Sequence, residues 1–342
     1  MIKMKAAIYQ GKKDIQMGEL PTPHAGRNDV VIQNLYAGIC GSDVAVYNEG
    51  TETGRKIQSG GEFGHEMVSR VVEVGANVTD FKVGDRVYPY PLLARGDPKY
   101  AGDLGGFSEY ILVPNAKLNQ QLYLVPDAIS DRVAAMIEPF TVGTCAARHG
   151  HPHKGENAIV YGAGTIGLAA ATALKFFGMK EVLVIDQSDF RLGIAQKLGF
   201  KTFNNQNGHV KENAIQQLGS SRGLHGECPN AAVYIDAVGR NEILQDFLDF
   251  GTIDSRFVTV GINNHQVSLD FLELIYSSKS LGGSGGYRPQ DVHTVLQIMS
   301  QQNEQLDQII TKEVDWAHLE QGIQAATDVN HHLKVLVNYH VN

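Results

Sequence analysis

The residues with the most chemical potential lie in two places. In the first third, Cys40 sits in Gly38-Ile-Cys-Gly-Ser-Asp43, and His65 and Glu66 close Gly60-Gly-Glu-Phe-Gly-His-Glu66. A thiol, an imidazole and a carboxylate are ligand types that zinc accepts in catalytic sites, where one position stays open. The spacing is not that of a zinc finger, so the ligands would come from separate loops and suit a site in a cleft. A later acid, Glu138, precedes Pro139. Taken alone, a cysteine in an apolar run reads equally well as a small core residue. A His-Glu pair reads equally well as a solvated loop. The residues leave both readings open.

The second place is Tyr161–Gly167, which carries G-x-G-x-x-G at Gly162, Gly164 and Gly167. Among 37 glycines such a pattern arises by chance, so its setting decides. Ala158–Tyr161 is a short apolar run suited to a buried parallel strand. Ile166–Phe177 is helix-forming and is followed by Gly178 as a C-cap. Glu181–Ile185 is a second strand, and it ends on Asp186, 19 positions after Gly167. Strand, glycine turn, helix, strand and acid are the dinucleotide fingerprint. Gly162 permits the turn, Gly164 lets a pyrophosphate approach the backbone, and Gly167 lets helix and strand pack closely. The free N–H groups of Thr165 and Ile166 at the helix start, with the positive dipole end, would hold the phosphates. Asp186 would accept from the adenosine ribose hydroxyls and repel a 2′-phosphate, favouring NAD over NADP. Arg191 would soften that preference if it turned toward the ribose. Val238 and Ile262 follow later strands on the side expected to face the nicotinamide.

Those residues need two kinds of framework. Residues 1 to about 140 show short valine- and isoleucine-rich runs (Val30–Leu35, Met67–Val74, Val83–Tyr88, Phe107–Val113) parted by Gly, Pro and Asn, as in an antiparallel barrel-like domain. From Ala158 onward strands alternate with helices, as in a doubly wound α/β domain. The runs Ala232–Ile235, Phe257–Val260 and Leu281–Gly286 continue it. The tail, with a helix at Gln290–Ser300 and a strand at Leu333–Tyr339, is expected to return to the first domain. The expected borders are 1–142 with 288–342 for the β-rich domain and 143–287 for the nucleotide domain. A chain of 342 residues suits two domains. Its formal charge of -8, without a basic tract, argues against nucleic acid and anionic membranes as partners. No apolar run approaches a membrane span. Three cysteines (Cys40, Cys145, Cys228) are too few for a disulfide framework and fit a reducing cytoplasm. Cys145 and Cys228 read as structural, and His149, His151 and His153 as a turn that could chelate a metal adventitiously.

Gly38–Asp43, Gly64-His65-Glu66, Glu138-Pro139 and Gly162–Gly167 together resemble, in order and spacing, the zinc-dependent medium-chain dehydrogenases, and most of all their sorbitol (polyol) dehydrogenase branch. The resemblance implies a GroES-like catalytic domain with an inserted Rossmann domain, a substrate cleft between them, and a homodimer or homotetramer. It implies that Cys40, His65 and Glu66 hold the catalytic zinc, that Glu138 binds it directly or through water, and that Ser42 takes the substrate's proton. Cys40 and Glu66 together already neutralise a divalent zinc, so Glu138 is expected to be an exchangeable or water-mediated ligand. The activity implied is NAD-linked interconversion of a secondary alcohol, a polyol or sugar derivative, with its ketone. Threonine or another small secondary alcohol is the alternative substrate. Rivals are a zinc-free reductase and a non-catalytic NAD-binding protein on the same scaffold.

Three departures qualify the resemblance. Tyr88–Asp103 has none of the four cysteines that hold a structural zinc in the family, so one catalytic zinc and no structural zinc is expected. Ala45 stands where polyol dehydrogenases carry a relay histidine, and Tyr47 is a weak substitute. Gly286 replaces an arginine near the sugar site, ahead of Tyr287 and Arg288.

Overall fold

The computed structural model describes residues 2–50, 57, 59–94 and 104–339. The chain divides into two compact units, Met1–Glu138 with Met299–Asn342, and Pro139–Ile298. These borders fall four and eleven residues from the expected ones, because the helices Ile137–His149 and Pro289–Asp307 each run across a border.

The first unit is β-rich. One sheet runs in the order Ile310–Asp315, Lys334–Asn338, Val30–Gly38, Glu66–Val74, Arg86–Pro89, Leu122–Leu124, with Tyr110–Val113 also paired to Val30–Gly38. A smaller sheet joins Asp14–Pro21, Lys3–Gly11 and Gly61–Glu62. Pairing is antiparallel except between Ile310–Asp315 and Lys334–Asn338. The core between them includes Ile32, Met67, Val71, Phe63, Phe107 and Trp316. The strand expected over Val83–Tyr88 starts only at Arg86. Before it, Gly84 has φ +96°, and the Lys82 N–H donates to Asp85 Oδ2 at 2.9 Å, so the chain is still turning. The helix Gly41–Glu49 escaped the sequence reading, since its short polar run has no clear apolar period.

The second unit holds a six-stranded parallel sheet in the order Lys201–Asn204, Glu181–Asp186, Asn157–Tyr161, Val233–Asp236, Arg256–Thr259, Ser280–Gly283. The order reverses beside Asn157–Tyr161, which makes the crevice at that strand's carboxyl end the expected ligand position. Every residue of Asn157–Tyr161 is buried, which is why Ala158–Tyr161 reads as continuously apolar. A hairpin, Ser220–Gly223 with Gly226–Pro229, interrupts the alternation. The last strand stops at Gly283 rather than at Gly286, because Gly285 takes φ +62° and leaves the sheet plane. Among the described residues no helix is long and apolar enough to cross a membrane.

Candidate metal centre and dinucleotide site

The three metal-site residues come from two neighbouring backbone segments. Cys40 follows the strand Val30–Gly38 and caps the helix Gly41–Glu49; its backbone N–H donates to Asp43 Oδ2 at 3.0 Å. His65 and Glu66 stand where Glu66–Val74 begins, and the register places Glu66 opposite Gly38. Gly64, at φ +92°, lets the chain enter that strand, and a Cβ there would strike the Phe107 ring. One ligand atom each from Cys40, His65 and Glu66 lies within 4.8 Å of the other two, the only such metal-ligating group among the described residues. The three histidines of His149–His153 form no such group there.

The surroundings are charged and buried. His65 Nδ1 lies 3.7 Å from Asp43 Oδ1, and Asp43 is fully buried. Lys334 is buried too; its ammonium pairs with Glu66 Oε2 and donates to Ile39 O at 3.1 Å. This ion pair packs over Gly38, where any side chain would overlap both Glu66 and Lys334. The glycine opening the Gly38–Asp43 motif is therefore a matter of space. Lys334 was missed from the sequence. Its signal was a single charge inside the otherwise apolar strand Leu333–Val337. Burial pushes the Cys40 thiol well above its ordinary value, and the Glu66, Asp43 and Glu138 carboxylates push the same way while Lys334 opposes them. Glu138 is buried at the start of the helix Ile137–His149. Ser42 lies in the first turn of Gly41–Glu49. Tyr47 is a core residue whose hydroxyl donates to Glu320 Oε1 at 3.3 Å, which removes it as a substitute relay.

The donor set tests well for zinc. A thiol, an imidazole and a carboxylate converge, and Asp43 lies on the Nδ1 side of the imidazole, where outer carboxylates stand in such sites.

The glycine turn of the second unit keeps each part of the fingerprint. Gly162 takes φ +101°, a conformation that favours glycine. Gly164 is the N-cap of the helix Thr165–Phe176 with ordinary φ, and a Cβ there would make only an ordinary contact, 3.7 Å from Arg191 Nη1. The protein's own packing therefore does not demand glycine at this position, and the bare backbone is left open to a ligand. A Cβ on Gly167 would overlap the carbonyl of Gly162, so this glycine serves helix–strand packing. Asp186 accepts from Ala163 N–H at 2.7 Å and from Ser188 N–H at 2.8 Å, which fixes the carboxylate beside the turn. Arg191 reaches the turn itself; burial lowers its pKa and Asp186 opposes that. Val238 and Ile262 line a cavity of about 520 Å³ with Gly239–Glu242 and Asn263–His265. There the loops after two strands touch so closely that neither Gly239 nor Gly261 has room for a side chain. The bare turn, the helix start and the fixed acid fit a dinucleotide.

Residues 26–127 match the alcohol dehydrogenase GroES-like domain and residues 165–301 the zinc-binding dehydrogenase domain. The chain belongs to the zinc-dependent medium-chain dehydrogenases. It is 28% identical to the L-threonine 3-dehydrogenase of Edwardsiella ictaluri over 98% of this chain and all of that protein. The 2R,3R-butanediol dehydrogenase of Bacillus subtilis superposes with a TM-score of 0.84 at 28% identity, covering 98% of this chain and 99% of that one. An alcohol dehydrogenase of Escherichia coli CFT073, solved with NADH, gives a TM-score of 0.84 at 25% identity and the same coverage. The GroES-like and Rossmann architecture expected from the sequence is thus present, on a family member of alcohol-dehydrogenase type.

Proposed function

We propose that this chain is a zinc-dependent, NAD-linked dehydrogenase that interconverts a secondary alcohol, a polyol or sugar derivative, with its ketone. The observation that carries the reading is the convergence of Cys40, His65 and Glu66 within 4.8 Å. These three side chains hold one zinc, and the chain carries no structural zinc. Tyr88–Ala94 contributes no cysteine, and residues 95–103 of the same segment lie outside those described. When bound, zinc supplies a Lewis acid that lowers the pKa of the substrate hydroxyl, and NAD supplies the hydride acceptor.

The chain's own residues do the rest. Asp43, whose Oδ1 lies 3.7 Å from His65 Nδ1, would orient the imidazole electrostatically and leave Nε2 for the metal. Lys334 balances part of the negative charge gathered by Cys40, Glu66 and Glu138. Ser42 Oγ would receive the proton of the substrate hydroxyl, and Ala45 offers no side-chain group to relay it onward. Glu138 is an exchangeable or water-mediated ligand. The N–H groups of Thr165 and Ile166 hold the pyrophosphate, and Asp186 takes the adenosine ribose hydroxyls, which favours NAD over NADP. Val238 and Ile262 border the nicotinamide half.

L-threonine or a small diol is the second substrate reading, supported by the threonine and butanediol dehydrogenases among the relatives. Departure at Gly286, and Tyr287 being buried, weigh against a sugar site of the sorbitol type. We read the protein as a cytoplasmic homodimer or homotetramer. The edge strand Ser280–Gly283 is uncharged, and Phe271, Ile275 and Tyr276 are exposed on the neighbouring helix, a surface a second copy would cover.

A panel of polyols, diols and L-threonine, assayed with NAD and NADP beside metal analysis of the purified protein, tests the reading. NADH formation with stoichiometric zinc is expected. Full activity in metal-free protein would point to a zinc-free reductase, and no turnover with any alcohol to a non-catalytic NAD-binding protein. Glu138→Ala is expected to lose activity; full activity and zinc content in that variant would remove Glu138 from the scheme.

A further inference from the structure

The strand Ser280–Gly283 ends in backbone that is almost bare. Gly282, Gly283, Gly285 and Gly286 carry no side chain, and nothing lies within 4 Å of where a Cβ would stand on Gly283 or Gly285. Such a segment leaves space for a ligand to lie on the peptide groups, but it has little of its own to fix those groups in place. On the other side of it stands the helix Ile137–His149. Cys145 is buried there, and its S–H donates to Ser284 O at 3.2 Å, with Gly286 O at 3.7 Å. Arg148 Nη2–H donates to the Cys145 sulfur at 3.4 Å.

Arg148 also forks onto the buried Asp291, Nε to Oδ1 at 2.7 Å and Nη2 to Oδ2 at 3.1 Å. Asp291 Oδ2 accepts the backbone N–H of Arg288 at 2.8 Å, and Asp291 N–H donates to Arg288 O at 2.9 Å. The segment 284–288 is thereby held at both ends, by the thiol at Ser284 and by the aspartate at Arg288. On the sheet side Ser284 N–H donates to Thr259 O at 3.0 Å. Burial pushes the Cys145 thiol up to about 11, Asp291 adding to the rise and Arg148 opposing it, so it stays protonated and remains a donor near neutral pH.

The position of this segment gives the clamp a use. The sheet order reverses at Asn157–Tyr161, and Asp186, held beside the glycine turn by Ala163 N–H, would put the adenosine end on the Glu181–Asp186 side. The other half of a dinucleotide must then lie over the carboxyl ends of Val233–Asp236, Arg256–Thr259 and Ser280–Gly283. We propose that Cys145, backed by the Arg148–Asp291 pair, is a positioning residue that fixes the Ser284–Gly286 peptide groups against the nicotinamide end of the cofactor. The inference rests on the dinucleotide reading above.

Calorimetric titration of NADH and of ADP-ribose, which lacks the nicotinamide, into wild type, Cys145→Ala, Cys145→Ser and Arg148→Lys tests it. Cys145→Ala is expected to weaken NADH about 5–20-fold, the loss of one directional donor, and to leave ADP-ribose within about 2-fold of wild type. Cys145→Ser keeps a donor and should recover NADH to within about 3-fold. Arg148→Lys keeps the charge and loses the fork, so it should weaken NADH about 2–5-fold relative to ADP-ribose; it carries the test if Cys145→Ala does not fold. Unchanged NADH affinity, or equal weakening of both ligands, overturns the clamp. Wild type binding neither ligand would instead remove the dinucleotide reading itself.

Discussion

The metal half and the dinucleotide half hold charged groups by opposite means. Around Cys40, His65 and Glu66 the means are side chains: an imidazole beside Asp43, and a carboxylate paired with the buried Lys334. Around Gly162–Gly167 the means are peptide groups, with the side chains removed where they would obstruct. Buried opposing charges are expensive to leave unpaired, so the metal half should be sensitive to single charge deletions. A backbone cradle carries no net charge, so the dinucleotide half should respond in affinity more than in stability.

The sharpest break of that contrast is Cys40→Ser. It should reduce bound zinc to a small fraction of one per chain and turnover by about 1,000-fold or more, while NADH binding, followed by its fluorescence, stays within about 3-fold. Equal loss of both would mean the two halves do not act separately. Next comes Lys334→Met, which leaves Glu66 buried without its cation. Thermal unfolding of metal-free protein should show a loss of about 3–5 kcal/mol. Zinc should recover most of it, because the metal then neutralises the carboxylate. If the loss is the same with and without zinc, Lys334 serves the sheet rather than the metal site.

Asp186→Ala should raise the KM for NAD about 10–30-fold, the scale of one charge-assisted hydrogen bond lost, with zinc content unchanged. A fall in zinc would break the separation from the other side. The smallest expected effect is at Asp246, below the glycine turn, whose carboxylate accepts from the Tyr161 hydroxyl at 3.1 Å. Burial raises its pKa from 3.8 to about 6, against the Tyr161 hydrogen bond. A raised carboxyl pKa means stability that is full below pH 4 and falls as pH rises through about 6. Asp246→Asn should therefore stabilise at pH 8 by about 1 kcal/mol, after allowance for its partial exposure to solvent. At pH 4 it should change nothing. Destabilisation at pH 8 would show that the ionised carboxylate holds the strand end in place.

The two halves also differed in how far they could be read beforehand. Gly162, Gly164, Gly167 and Asp186 lie close together in the chain, and strand–turn–helix–strand is a local arrangement, so the residue types alone specified both turn and partner. Cys40, His65 and Glu66 were open to bland readings until motif order and spacing across the chain suggested a family. Arg191 and Tyr47 were ambiguous for want of a direction. Packing turned one toward Gly164 and buried the other against Glu320.

What the sequence determined by itself was the α/β alternation, the β-rich first domain, the glycine turn with its acid, and the ligand types. Those follow from local periodicity and from single-residue chemistry. Only the tertiary structure decided that Lys334 faces Glu66 across 268 positions, that Gly38 is small because that pair lies on it, and that Cys145 reaches Ser284 from another element. The reason is physical. A buried charge or thiol takes its partner from whatever strand or helix the fold lays beside it, and that neighbour is set by sheet register and helix packing, which no local spacing encodes.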